Sequence, residues 1–359
     1  MTDPTERTNV GAESDPPPSP LWRHPAVLKF ANFIFTISLT FIGLTAITFV
    51  IGRVLPNDPA LAIVGDRASH EVYEAMRIHL GLNKPLLLQY WIYLSNILQG
   101  NFGTSIMTTR PVLDDIIRFF PATLELASVA TVAGVFIGVP MGVMAAVRQG
   151  RLTDHIVRVI GLFGYSVPIF WLGMVALLIF YAKLDWFPGP GRIEVYYDGI
   201  VTPVTGIILL DSALQGEWEV FRNAFMHLIL PASMLAVYAL AYIARMTRSF
   251  MLDQLNQEYI LTARVKGLSE GAVIWKHAFR NVLVQLITII GLTYASLLEG
   301  SVLTETVFAW PGIGQYITNS LFNADMNAVI GGTVVVGICF VGINLASDFL
   351  YRLVDPRAR

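Results

Sequence analysis

The chain has 359 residues, 54% of them apolar and only 14% charged, against about a quarter charged in soluble domains, which excludes an ordinary soluble globular protein and favours a membrane protein. The formal net charge of −2 points to neither nucleic acid nor an anionic surface, so the information lies in where the charges fall. One cysteine, Cys339, set in an apolar run, excludes an intrachain disulfide or a thiolate metal centre and reads as a small buried hydrophobe.

Residues 1–29 are polar and rich in proline (Pro4, Pro16, Pro17, Pro18, Pro20) and read as a disordered tail. Residues 30–52 carry no charge and are too long for a signal-peptide core, so they are expected to stay as the first membrane helix. Residues 53–120 mix both charge signs and form a long external loop with structure of its own. Ser69 can cap a helix whose Tyr73, Met76 and Leu80 share a face and which ends at Gly81. Pro85 can open another, with Trp91, Leu94 and Leu98 as its apolar side. Gly100 and Gly103 mark a turn, and residues 114–120 lead back to the bilayer.

A second span fits residues 121–147, with Glu125 near its outer end; Arg148, Arg151 and Arg158 make a short basic loop, and a third span fits 159–182. Residues 183–226 hold six acids against three basic residues and belong outside. The fourth span, 227–244, is short and contains Pro231; the fifth and sixth fit 281–303 and 328–350. Between the fourth and fifth lies a polar island, 245–280, with six of the 24 Lys and Arg residues. The tally puts fifteen basic residues inside and nine outside, which predicts six helices with both termini cytoplasmic. Within the island, residues 258–266 read as a short helix, acid at its start, Arg264 and Lys266 at its end and Gly267 as cap, with Leu261, Val265 and Leu268 on one face. An apolar stripe held outside the bilayer calls for a partner protein.

No Gly-Lys pair occurs, so a phosphate-binding loop is excluded and the chain is not expected to hydrolyse ATP. His70-Glu71 lacks a second histidine four residues on, where Glu74 stands, so no zinc-protease helix forms; His227 and His277 sit at span boundaries and read as capping or snorkelling groups. No metal or other cofactor is expected. The acids within spans, Glu125 and Glu299, either pair with loop basic residues or line a path. Glycines of the fifth and sixth spans read as packing positions. Residues 304–327, with Trp310-Pro311-Gly312, cannot be continuous helix; they are expected to dip toward a cavity mouth and rest Phe308 and Trp310 at the membrane interface, either as a candidate outer gate or as a simple connecting turn with an aromatic anchor.

These residues carry a family likeness. Glu258, Ala263 and Gly267 match the Glu-Ala-Gly pattern of ABC importer permeases. Leu80-Gly81-Leu82, Gly100-Asn101-Phe102-Gly103, Pro121-Ala122-Thr123-Leu124-Glu125, Trp310-Pro311-Gly312 with Gly314, and Asp355-Pro356-Arg357 resemble the first permease subunit of dipeptide, oligopeptide and nickel importers. The likeness departs at Tyr238 and Gln285, where family prolines are common. It implies an all-α polytopic membrane protein with the type I importer permease arrangement, in a bacterial or archaeal plasma membrane, in contact with membrane lipid and not nucleic acid. It also implies a homologous second permease, two ATPase subunits that bind ATP and Mg, and an external substrate-binding protein or lipoprotein. Coupling to the ATPase would then fall to Glu258, Tyr259, Ala263, Arg264, Gly267 and Leu268, and Glu125, Glu299, Phe308 and Trp310 are candidates for the path or gate. The implied cargo is short peptides. Nickel chelates, another small solute, or an ion-gradient-driven secondary transporter are the alternatives.

Overall fold

The computed structural model describes residues 25–54, 59–65, 67–79 and 81–354. Most of the expected tail, Leu80, and Asp355-Pro356-Arg357 lie outside the described residues. No strand occurs among the described residues; the chain is helix joined by turns.

Residues Met1–Gly43 and Leu44–Arg359 form two compact units. The first unit holds the start of helix α1, Pro25–Val54, where Thr40 Oγ1 donates to Thr36 O at 2.9 Å and so satisfies its hydroxyl within the helix. Ile34, Phe35 and Leu39 are exposed there, as suits a helix whose surroundings are hydrocarbon.

The second unit begins with the last turns of α1, followed by α2 (Pro59–Val64), α3 (His70–His79) and α4 (Leu86–Leu98). Ser69 Oγ accepts from the Val72 N–H at 3.4 Å, and Gly81 follows α3 with φ +68°. The apolar side of α4 is not its packed side. Trp91 and Leu98 are exposed, whereas Ile97 is buried and Tyr90 and Tyr93 meet Phe49 and hydrogen-bond Thr45 and Thr48 of α1. The tyrosines can pack there because a phenol can bury its ring and still find a hydroxyl partner.

Helix α5, Val112–Val147, begins before the expected bilayer entry and absorbs both Pro121 and Pro140. The expected third span is broken. α6 (Leu152–Ser166) and α7 (Ile169–Ala176), the latter prolonged by a π-helical turn, Leu177–Lys183, meet at 96°. Pro168 disfavours helical backbone at the residue before it, and Val167 is extended, φ −88° and ψ 128°. A short helix α8 (Ile208–Gln215) precedes α9 (Trp218–Leu255), and α9 is far longer than the expected fourth span: it starts in the acidic segment and runs into the polar island. α10 (Glu258–Val265) and a π-helical turn, Ala272–Ala278, lead to α11 (Phe279–Val307); α12 (Ile313–Phe322), foreseen only as a loop, precedes α13 (Met326–Val354).

Among the described residues four stretches are individually long and apolar enough to cross a membrane, on α5, α9, Ala272–Val307 and Met326–Ser347; the bent pair can supply a fifth, and Ile34–Val50 is a shorter apolar stretch. The centre of the bundle is the α5/α9 pair. Lipid offers no hydrophobic drive between helices, so association needs close packing. Gly134, Gly138 and Gly142, one per turn, supply it: a Cβ on Gly134 would lie 2.6 Å from Ala239 Cβ, on Gly138 3.0 Å from Leu240 O, and on Gly142 2.5 Å from Ala244 O. Around this seam Leu126, Ala130, Leu235, Ala239 and Ile243 are buried together with Leu297 and Trp310. α11 meets α13 where Gly291 faces Ser347, and α12 meets α13 where Gly332 faces Ile317. Cys339 is half-buried rather than fully enclosed.

A bulky residue on the seam has nowhere to go, and overpacking costs about 1–3 kcal/mol. Gly142→Val is expected to lower the thermal unfolding midpoint of the detergent-purified protein by several degrees, whereas Gly300→Ala, with nothing within 4 Å of its added Cβ, leaves it unchanged. Equal midpoints would remove the seam from its central place.

Candidate functional site

Two clusters carry polar chemistry, one at each end of the bundle. At the end where α5 begins, the first is built around Glu125, which α5 buries to 3% exposure. Arg192, from the segment after the bent pair, donates to Glu125 Oε2 through Nε (3.0 Å) and Nη2 (2.5 Å), and the Leu209 N–H donates to Oε1 at 2.9 Å. Arg192 also reaches Gly206 O and lies 5.8 Å from the centre of the Trp310 ring. Of the two roles expected for Glu125, the structure shows the pairing with a loop basic residue. Glu299 is exposed; the two acids are not brought together.

A second group at the same end, centred on Glu305, carries no mark in the charge pattern. Glu305 on α11 is fully buried and accepts from Thr123 Oγ1 (2.7 Å), Ser301 Oγ (3.1 Å) and the Gln315 N–H (2.9 Å). Thr123 Oγ1 in turn accepts from the Ile313 N–H, and Trp310 Nε1 donates to Ala122 O, both spanning from α5 to the segment after α11. This explains the glycines of Trp310-Pro311-Gly312 with Gly314: a Cβ at either Gly312 or Gly314 would collide with the Glu305 carboxylate. The expectation for Phe308 and Trp310 is corrected. They are 3% and 0% exposed, inside the protein and not at a membrane interface, because the hydrogen bonds to α5 pull the segment inward. An acid in the sequence Leu303-Thr304-Glu305 was a legible signal; its ring of donors was not, since they come from three elements.

Above these groups opens a cleft of about 660 Å³, lined among others by Asp114, Arg118, Arg192, Tyr197, Asp198 and Pro311. Asp211, on its wall, accepts from the Val204, Thr205 and Gly206 N–H groups and from Thr205 Oγ1. Burial alone would raise the Asp211 carboxyl, but these donors hold it below its usual range. The same end is fixed at other points too: Asp325 accepts from Ser105 Oγ and from the Ile106 and Met107 N–H groups, and Asp115 from Thr108 and Tyr316.

At the opposite end, α10 follows α9 after a two-residue break. Its cap is a Schellman motif: the Leu268 N–H donates to Ala263 O and the Gly267 N–H to Arg264 O, with Gly267 at φ +79°. Ile260 and Ala263 are buried against Met251, Val273 and Val282, while Leu261, Val265 and Leu268 are exposed. Tyr259 ties the helix to its neighbours, donating to Gln254 Oε1 on α9 at 2.8 Å and accepting from Asn281 Nδ2 on α11 at 2.9 Å. Glu258 occupies the first turn, and Arg264 pairs with Glu270 in an exposed bridge of 2.9 Å, a contact of about 0–1 kcal/mol. Nearby, Arg248 grips buried Asp154 at 2.6 and 2.9 Å, joining α9 to the basic turn. Tyr238, where family prolines are common, stacks on Tyr165 at 5.8 Å, and Gln285 is exposed; both lie inside unbroken helices. His227 Nδ1 lies 2.9 Å from Asn223 O, and the described residues hold no group of acids, histidines or cysteines fit for a metal.

Residues 138–359 match the family described as the inner membrane component of binding-protein-dependent transport systems, and residues 29–127 match the family of the N-terminal part of such membrane components. The chain belongs to this family of multi-pass permease subunits. The probable D,D-dipeptide transport system permease protein DdpB of Escherichia coli (strain K12) is 47% identical over 88% of this chain and 92% of its own. The di/tripeptide transport system permease protein DppB of Pseudomonas aeruginosa (strain UCBPP-PA14) is 44% identical over 89% and 95%, and the dipeptide transport system permease protein DppB of Escherichia coli (strain K12) 41% over 89% and 95%. A chain of the inward-facing MetNI methionine ABC transporter aligns with 67% of this chain and 96% of its own at 21% identity and a TM-score of 0.49, too slight a likeness to carry an argument.

The Glu125–Arg192 pair makes a measurable statement. Removing one partner of a buried pair strands the other, at about 3–5 kcal/mol, whereas replacing both costs less. Glu125→Ala is therefore expected to lower the unfolding midpoint more than the double change Glu125→Ala with Arg192→Met. A larger loss in the double variant would contradict the pairing.

Proposed function

We propose that this chain is the transmembrane permease subunit of an ATP-driven importer, forming with a homologous second permease the path for dipeptides and other short peptides delivered by an external binding protein or lipoprotein. The observation that carries the reading is the match to peptide permeases at 41–47% identity over nearly nine-tenths of the chain, joined to a membrane bundle with a short helix, α10, beside which Leu261, Val265 and Leu268 stand exposed. ATP and Mg would be bound, and ATP hydrolysed, by two partner ATPase subunits. Both termini are assigned to the cytoplasm by the distribution of basic residues, with six crossings in all. Nickel chelates and ion-gradient transport are less well supported, since each relative above is a peptide permease by name.

Coupling is assigned to α10 and its cap. Glu258, Tyr259, Ala263, Arg264, Gly267 and Leu268 would carry it, Ala263 and Tyr259 fastening the helix inward and the Leu261, Val265 and Leu268 patch meeting an ATPase groove. The double tether through Tyr259 lets motion of α10 reach α9 and α11 together. Glu125, Phe308 and Trp310 would support the outer mouth of the path, and Glu299, the exposed acid of α11, is the candidate for its lining.

Cells lacking the gene should lose uptake of radiolabelled dipeptide and keep uptake of nickel; the reverse pattern would replace the cargo assignment. Gly267→Val should cut dipeptide uptake several-fold with normal amounts of permease in the membrane. The added Cβ meets nothing within 4 Å, so the whole effect comes from the left-handed backbone, about 1–2 kcal/mol. Wild-type uptake in that variant would remove α10 from coupling.

A further inference from the structure

The outer cleft holds charges that the fold does not use. Of the two acids in the first turn of α5, Asp115 is buried and bonded to Thr108 and Tyr316, while Asp114 is exposed and forms no ion pair among the described residues. One turn on, Arg118 also lines the cleft, rests against the Phe119 ring at 5.9 Å, and pairs with no carboxylate among the described residues. Opposite charges at this spacing on a helix are within reach of each other; here no ion pair forms between them. Asp198, beside Tyr197, adds a second exposed carboxylate from another element of the lining. The floor, by contrast, is rigid: Arg192 is fully committed to Glu125 and Gly206 O over the buried Trp310.

We propose that this cleft is a receiving site for the zwitterion of a free dipeptide, Asp114 and Asp198 taking the ammonium and Arg118 the carboxylate. The inference rests on the peptide reading above and goes beyond it by naming the groups recognised. The spacing fits. Side chains at i and i+4 on a helix stand about 5–6 Å apart at Cβ, and with consecutive Cα atoms about 3.8 Å apart the two charged ends of an extended dipeptide are separated by roughly the same length. The volume falls in the range of small-molecule sites, about 300–1,000 Å³, and a planar guanidinium suits a carboxylate. Each further residue in the peptide moves the ends apart by about 3.3–3.6 Å, so the cleft selects on length as well as on charge.

The test is binding of alanyl-alanine to the complete transporter, permeases and ATPase subunits in nanodiscs without binding protein, followed by saturation-transfer NMR. The wild type should bind alanyl-alanine and bind its N-acetyl and C-amide derivatives about tenfold more weakly. Arg118→Gln should weaken the free dipeptide about tenfold and leave the C-amide unaffected, and Asp114→Asn with Asp198→Asn should do the same relative to the N-acetyl form; unfolding midpoints should match wild type. No binding by the wild type, equal binding of free and blocked forms, or unchanged binding in both variants would each overturn the cleft assignment. If any of these occurs while cells still import dipeptides through the chain, the proposed function stands and only the cleft falls; absent dipeptide import would overturn both.

Discussion

Helix α5 can approach α9 closely only because three of its residues, spaced one per turn, have no side chain. Everything else in the second unit is placed from that seam: α6 leans on α9 where Gly164 meets Val237 and Ala241, and α11 closes the other side through Leu297 and Leu298. In a bilayer the alternative to such contact is lipid, which serves apolar side chains equally well, so shape rather than apolarity decides which helices are neighbours. The exposed Val132 and Phe136, on the same helix as the buried Ala127 and Ala130, show the consequence: the larger groups face out and the small ones in.

The end of the bundle that carries Glu125 follows another rule. There, polar groups withdrawn from water must be matched, and Glu305, Glu125, Asp115, Asp211 and Asp325 each gather several donors, those of Glu305, Glu125 and Asp115 from separate elements and those of Asp211 and Asp325 from a neighbouring loop. Five carboxylates acting as hubs turn loops into fixed structure, which is why the segment after α11 is a packed element with its own helix. Charged residues left over from this scheme, such as Asp114 and Arg118, therefore stand out against a background in which carboxylates are used.

Much of the architecture was legible because it depends on local pattern. The caps at Ser69, Pro85 and Gly267 were visible from residue type alone, and the apolar runs located the helices α1, α5, α11 and α13. The break at Val167 was missed although Pro168 was in view, since a proline inside an apolar run also occurs in α5 and α9 without a break; only the packing of neighbours separates the cases. Extension of α9 through Arg245 and Arg248 was hidden because a polar stretch reads as a loop when its partner, Asp154, lies far away in sequence. The role of Glu125 was half visible, as an acid wanting a base, but nothing local singled out Arg192. Glu305 was overlooked for a related reason: its partners are hydroxyls and backbone amides, which leave no charge pattern.

The right-angled segment has a consequence for how the protein is made. α6 has 15 residues, and α7 with its π-helical turn, eight and seven residues, has as many, so at about 1.5 Å per residue neither arm crosses the roughly 30 Å hydrocarbon layer alone. The bend itself is set locally by Pro168, but the residues packed against its first arm, Val237 and Ala241 beside Gly164, belong to α9, which follows it in the chain, so that this packing can form only once α9 has been synthesised.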